Sequence, residues 1–257
     1  MILIVGKSID FDSFVFHKKS RMPEAIIITP VKDSLHTTSR TINAISDVKG
    51  EFKYIVFNDF SQFKTKEFLE KAKVEHNFQL INLEDITNNP SPNYKLVLEI
   101  AQNLALENNC PLIIIESDVV IKPDTLSGMF EILHTKPNPG LIGAITVDES
   151  GYYNFPYTFE KVKNDEVMNT SHSLSFCCTL ISVEFLQKFD FKTLSQNKDW
   201  FDVYISRQSK RLGFNNYLAK GLEVVHLPHS SRPWKHLKYS NPILYYFNKM
   251  FYKRDRI

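Results

Sequence analysis

A chain of 257 residues is long enough to bury a full core, as one large α/β domain or as two close lobes. It is 43% hydrophobic and 23% charged, ordinary values for a globular protein, and its net charge of +2 excludes bulk nucleic-acid binding, which needs a strongly basic surface. No apolar run approaches the roughly 20 residues of a membrane-spanning helix.

The chain opens with "MILIVGKSID", where Lys7 follows the apolar run and no basic residue precedes it, so a secretory signal is not expected. "EAIIIT" (24–29) reads as a buried strand, followed by a polar loop and a helix around 37–47. "YIVFN" (54–58) is a second strand, and "KTKEFLEKAKVEH" (64–76) a helix with Phe68, Leu69 and Ala72 on one side. "FQLIN" (78–82) is a third strand, and "ITNNPSPN" (86–93) has the Asn and Pro content of a loop. Leu96, Val97, Ile100, Ala101 and Leu104 then recur at helical spacing, and the strand "LIII" (112–115) follows. A helix near 124–134 and a strand at 141–146 complete this part.

Strands alternating with helices predict a layered α/β fold around a mostly parallel sheet. Ligands of such sheets sit outside the carboxyl ends of the strands. Thr29 and Pro30 end the first strand, Asn58 and Asp59 the second, and Glu116, Ser117 and Asp118 the fourth. Three strand ends therefore point polar groups at one rim. From about residue 150 the alternation weakens, beginning with the aromatic, Pro-interrupted "GYYNFPYTF" (151–159). The expected division is an N-terminal extension (1–24), a ligand-binding half (25–150), a second half of the same domain (151–231) and a tail (232–257).

Cys110, Cys177 and Cys178 lack metal-ligand spacing, and the adjacent pair cannot bridge each other; they read as small core residues in a reducing cytoplasm. With only 8 glycines, the chain shows neither G-x-G-x-x-G nor a P-loop. A protein that binds a diphosphate without such a loop needs another source of positive charge. A divalent cation shared between one or two carboxylates and the phosphates is the usual one.

"AIIITPVKDS", "YIVFNDFSQFKT" and "LIIIESDVVIKPDTL" in this order resemble the nucleotide-sugar half of the family 2 glycosyltransferases, which have the GT-A fold, a Rossmann-like sheet flanked by helices. The resemblance puts Thr29 and Pro30 at the first turn of the nucleotide site, Asp59 of "NDFS" on the base, and Ser117 among the nucleotide-binding residues. It puts Asp118 of "ESD" on the metal, with Glu116 standing in for the first acid of the D-x-D motif. "CCTLISVEFLQKFDF" (177–191) is similar to the stretch before the acceptor site, and "DWFDVYISRQSKRLGF" (199–214) to the E-D-x-D-L…R…G segment. Asp202 then matches the catalytic base, with Gly213 eleven positions later, while Phe201, Tyr204 and Gln208 replace the usual Glu, Asp and Arg. "VVHLPHSS" (224–231) is similar to the late strand whose His can ligate the metal, as His226 or as His229.

The resemblance implies an inverting transfer of a hexose or deoxyhexose from a UDP- or dTDP-sugar to a hydroxyl of a glycan or lipid-linked acceptor, with Mn²⁺ or Mg²⁺. Its setting is bacterial surface-polysaccharide synthesis at the inner face of the cytoplasmic membrane. Each residue also has a plainer reading. Asp59 suits a turn after a strand, Asp118 suits a helix cap, although Asp124 is better placed, Asp202 suits a solvated helix face, and His226 a hydrogen-bonded core position. Residues 241–256 form the pattern of a basic amphipathic helix, which lies on an anionic membrane or packs on the protein's own core. Two other classes remain open: a catalytically degenerate module that binds a glycan or a protein, and a nucleotidyltransferase, whose glycine-rich loop "ITPVKDSLHTT" lacks.

Overall fold

The computed structural model describes residues 3–4, 7–8, 22–160, 163–195 and 200–228. His229 and the tail pattern over 241–256 lie outside them. β1 (Leu3–Ile4) and β2 (Lys7–Ser8) pair with each other as an antiparallel ribbon. The main sheet is built from β3 (Ala25–Val31), β4 (Phe52–Asn58), β5 (Gln79–Asn82), β6 (Leu112–Ile115), β7 (Val119–Val120), β8 (Pro139–Val147), β9 (Val167–Asn169), β10 (Cys178–Ile181) and β11 (Asn215–His226). Its helices are α1 (Leu35–Ser46), α2 (Phe63–Glu75), α3 (Tyr94–Glu107), α4 (Thr125–Thr135), α5 (Val183–Lys188) and α6 (Phe201–Arg211).

The strand order is β5-β4-β3-β6-β10-β8-β11-β7, with β9 also on β11. β3, β4, β5, β6, β8 and β11 run in one direction, and β10, β7 and β9 run against them. This is the mixed, mostly parallel α/β sheet that the sequence pattern predicts. β3 has neighbours on both edges and helices on both faces, which is why its sequence is a run of isoleucines and not an alternation. Ile26 and Ile28 enter a core layer with α3, α5 and α6, while Ala25, Ile27 and Val31 enter a second layer with α1, α2 and α4. Burying one such side chain is worth about 1.5–3 kcal/mol. A one-residue slip would exchange the two sets, so the register is strongly specified.

One boundary moves in a way that matters for the site. The first strand does not stop at Thr29 and Pro30 but continues to Val31, with Thr29 opposite Val56 and Pro30 opposite Phe57. β10, reversed between β6 and β8, brings its first residue to the carboxyl end of β6, pairing Cys178 with Ile115. β11 is long enough to pair with β8 and then, at its end, with β7. Among the described residues no helix is long and apolar enough to cross a membrane.

Candidate active site

β3, β4 and β6 are parallel neighbours, so their carboxyl ends share one edge of the sheet. At the end of β4 the polar groups are turned inward. Asp59 is 8% exposed, and its Oδ2 accepts from Ser91 Oγ at 2.6 Å and from Asn93 N at 2.9 Å. Its Oδ1 accepts from Asn93 Nδ2 at 2.8 Å. Asn93 is the residue from which α3 starts, so this carboxylate holds a helix N-terminus, where negative charge is favourable. Asn58 Nδ2 donates to Asn82 Oδ1 at 2.8 Å, and its Oδ1 accepts from Ser61 N at 3.2 Å.

The two loops beside Asp59 lock together. Lys32 Nζ donates to the Phe60 carbonyl, Asp33 N to Ser61 Oγ at 2.9 Å, and Gln62 N to Asp33 Oδ1 at 2.7 Å. Asp33, Ser34 and Phe60 have φ of 56°, 58° and 56°, in the left-handed region that non-glycine residues rarely occupy. Such backbone costs on the order of 1–3 kcal/mol per residue, and it persists where the surroundings over-determine it. Thr29 does not reach this rim: it is fully buried, and its hydroxyl accepts from Tyr54 Oη at 3.1 Å. Pro30, half-buried within the strand, forms no turn.

The end of β6 is different. Glu116 N donates to the Cys177 carbonyl at 3.0 Å, and Val119 N to the Glu116 carbonyl at 3.1 Å, which turns the chain into β7. Because β7 pairs with the end of β11, His226 stands opposite Val119. Leu227 N donates to the Asp118 carbonyl at 2.7 Å. Asp118 is 3% exposed, and its Oδ2 lies 3.3 Å from His226 Nε2. His226 Nδ1 is 2.7 Å from the Phe155 carbonyl, an acceptor, so this nitrogen carries a proton. Burial alone would lower the imidazole pKa; the Asp118 carboxylate outweighs it and holds the ring above its usual value. Ser117 sits half-buried between the two acids.

Asp202 lies in the first turn of α6, half-buried, its Oδ1 accepting from Val203 N at 2.8 Å. Small groups let α6 sit close to the sheet. Ser206 Oγ accepts from Leu174 N at 3.0 Å, Ser209 Oγ donates to Asn216 Oδ1 at 2.7 Å, and Asn216 Nδ2 donates to the Ser206 carbonyl at 2.9 Å. A Cβ on Gly140 would stand 2.1 Å from Ser209 Oγ and 2.7 Å from Phe214 Cβ, so that approach requires glycine. At the N-terminus of α6, Phe201 stacks on Tyr94, with ring centres 6.2 Å apart and planes 9° from parallel. Tyr94 follows Asn93, so the grip of Asp59 on α3 extends to the turn that carries Asp202.

Carboxylates of both chain halves act on Cys177. Its thiol pKa is pushed well above the ordinary value, first by complete burial and then by the negative charges of Glu116, Asp118 and Asp202. Asp202 also acts on the buried hydroxyl of Tyr157, raised chiefly by desolvation. Asp118 and Asp202, 84 residues apart in sequence, thus both act electrostatically on this thiol.

An oxygen from Asp118 and Nε2 of His226, with Nδ1–H of that ring held by a carbonyl, form a donor set suited to a divalent cation. Glu116 does not complete it: among the described residues no three His, Cys, Asp or Glu side chains converge on a shared metal position. Two protein ligands suffice where phosphate oxygens supply others. Asp118 does not cap α4, which starts after Asp124. Sequence reasoning missed Ser91, Asn93, Thr146 and Asn154; "ITNNPSPN" signalled a loop but not which acid it would meet.

A family model described as "Glycosyl transferase family 2" matches residues 26–189. Among solved structures, a mannosyltransferase from Pyrobaculum calidifontis, in complex with GDP-Man and Mn²⁺, aligns with a TM-score of 0.62 at 13% identity, covering 91% of this chain and 65% of its own. GalNAc-T7, with UDP, GalNAc and Mn²⁺, aligns with a TM-score of 0.59 at 11% identity, covering 80% of this chain and 44% of its own. TarS residues 1–349 from S. aureus align with a TM-score of 0.58 at 14% identity, covering 79% and 60%. The chain thus spans less than two thirds of the length of these structures, and at such identities the likeness establishes the fold, which is that of GT-A glycosyltransferases. No curated protein sequence matches the chain.

Proposed function

The chain belongs to glycosyl transferase family 2, and from that membership and its strand-end geometry we propose that it is an inverting transferase using a nucleotide-diphospho-sugar. The observation that carries the reading is the pairing of Asp118 with His226 at the carboxyl end of β6, with Asp202 in the first turn of α6 as the acid of the second half. A divalent cation, Mn²⁺ or Mg²⁺, held by Asp118 and His226 supplies electrostatic stabilisation of the diphosphate leaving group. The Asp202 carboxylate takes the proton of the acceptor hydroxyl as that oxygen bonds to the anomeric carbon. The bond from that carbon to the diphosphate breaks on the opposite face, the nucleoside diphosphate leaves with its electron pair, and the configuration inverts.

Residues 25–150 form the nucleotide-sugar half in this reading and residues 151–231 the acceptor half. Asp59 maintains the nucleotide rim through Asn93, and Ser117 lies beside the phosphates. Three of the roughly four acceptor positions of the Asp59 carboxylate are used, leaving one for a ring N–H of a uracil or thymine base. The donor is a UDP- or dTDP-hexose or deoxyhexose, and the acceptor a glycan or lipid-linked glycan of a bacterial surface polysaccharide. Assembly takes place at the inner face of the cytoplasmic membrane.

A thermal-shift panel of UDP-, dTDP- and GDP-sugars, with and without Mn²⁺, tests this. Ligand at 100 times its Kd stabilises by about 2.7 kcal/mol, a rise of several degrees expected only with nucleotide and metal together. One observation favours a second reading, a non-catalytic glycan-binding module: Phe201 stands where the family has Glu and is committed to the ring stack on Tyr94. A flat response from a folded sample, with glycan binding retained, would select that module.

A further inference from the structure

The loop from Tyr153 to Tyr157 touches both strands that end at the candidate cation position. Val147 at the end of β8 bridges Tyr153, and Asn154 N donates to the Thr146 carbonyl at 3.2 Å. The fully buried Thr146 hydroxyl lies 3.1 Å from the Phe155 carbonyl and 3.3 Å from the Asn154 carbonyl. Asn154 Nδ2 donates to the His226 carbonyl at 3.0 Å, while the His226 ring returns a bond through Nδ1 to the Phe155 carbonyl. His226 is thus held twice by consecutive residues, once by its backbone and once by its ring. Thr146 holds the carbonyl that does the second part.

We infer that Thr146 and Asn154 are positioning residues for the cation site: together they fix the Phe155 carbonyl so that His226 keeps its proton on Nδ1 and presents Nε2 beside Asp118. The inference rests on the proposed role of His226. The chemistry asks for this arrangement. A metal-ligating imidazole must be neutral, one nitrogen carrying hydrogen and the other a lone pair, and the partner of the first nitrogen decides which is which. A backbone carbonyl can only accept, and at 2.7 Å from Nδ1 it draws the proton to that nitrogen against the pull of the Asp118 carboxylate, 3.3 Å from Nε2. Left to itself, that carbonyl would move with its loop; the Thr146 hydroxyl and the Asn154 amide tie it to the ends of β8 and β11, two rigid elements of the sheet. Neither residue is acidic, cationic or a metal-ligand type at this spacing, so no motif reveals them. Only the pairing of β8 with β11 brings Thr146 and His226 to the same end.

The test uses the full chain with ¹⁵N-labelled histidine. Mn²⁺ alone is titrated in, and paramagnetic broadening of the His226 ring signals is followed, a readout that registers even weak binding and needs no donor. Without metal and at alkaline pH, the wild-type ring is expected as the Nδ1–H tautomer, and Mn²⁺ is expected to broaden it. Thr146→Val and Asn154→Ala are expected to weaken that broadening about 10- to 100-fold in apparent Kd and to populate the other tautomer. Thr146→Ser, which retains a hydroxyl, restores both. Should either removal variant fold too poorly to titrate, the wild-type tautomer and the Thr146→Ser titration still decide: an Nε2–H ring in the wild type, or a Ser variant about 10-fold or more weaker than the wild type, overturns the inference. So does a Kd changed less than twofold in folded Thr146→Val and Asn154→Ala proteins while His226→Ala, with free Mn²⁺ read by electron paramagnetic resonance, abolishes binding. Mn²⁺ binding unaffected by His226→Ala would instead remove the metal role of His226, and with it the premise.

Discussion

The ends of β4 and β6 make an informative pair. Both are carboxyl ends of buried parallel strands, and each is followed by an aspartate with little solvent exposure: Asp59 at 8% and Asp118 at 3%. Yet Asp59 is enclosed by three donors from one nearby loop and holds the start of α3. Asp118 faces an imidazole delivered by the last strand of the sheet. Position at a strand end thus makes an acid available; the element packed against it decides whether the acid holds a helix start or meets an imidazole.

That contrast can be broken by experiment. Asp202→Asn is expected to produce the largest change, about a 10²–10⁴-fold drop in transfer rate with donor affinity retained. Steady-state turnover alongside nucleotide titration measures both, and an equal loss of affinity would argue against a base. Asp118→Ala should reduce Mn²⁺-stimulated donor hydrolysis or transfer about 10²–10³-fold while the urea midpoint moves little. Asp59→Ala at the other strand end should lower stability as well as donor affinity, since the same carboxylate holds α3 and keeps one acceptor position for the base. Removing an acceptor from a buried backbone N–H, an amide and a hydroxyl is expected to cost about 3 kcal/mol, read from urea unfolding. If Asp59→Ala leaves stability intact and abolishes donor binding, the two strand ends are alike after all.

Smaller effects sharpen the same comparison. Gly140→Ala forces a methyl against Ser209 and Phe214 where α6 meets β8, and about 1–3 kcal/mol of destabilisation is expected from overpacking. Because α6 carries Asp202, turnover should fall together with the unfolding midpoint. Tyr54→Phe removes the donor to Thr29 beneath the rim and should cost only about 1 kcal/mol, without change in nucleotide affinity. A marked loss of affinity there would return Thr29 to the nucleotide site.

Much of the first half was legible because its signals are local. The run "AIIIT" and the spacing of Val97, Ile100, Ala101 and Leu104 record burial directly, and the strand and helix lie where those patterns predict them. The end of the first strand was not legible: Pro30 reads as a stop, but pairing to Phe57 carries the strand to Val31. Proline is tolerated there because it need not donate at that position. The same shift withdraws Thr29 from the rim. Glu116 looked equivalent to Asp118 in "ESD", since i and i+2 of an extended segment share a face, but the bond from Val119 N to the Glu116 carbonyl makes these residues a turn and not a strand. The polar partners of Asp59 were visible only as a loop composition, since hydrogen bonds across 34 residues leave no periodic trace.

By itself the sequence determined the layered α/β architecture, the run of strand ends and the acids that follow them, because hydrophobic periodicity and turn chemistry act over a few residues. Which of those acids meet was decided by the tertiary structure. The reversed β10 sets Cys177 against Glu116, and the end of β11 sets His226 against Asp118. Both depend on pairing between segments about 60 to 100 residues apart, where backbone hydrogen bonds carry no residue-specific signature.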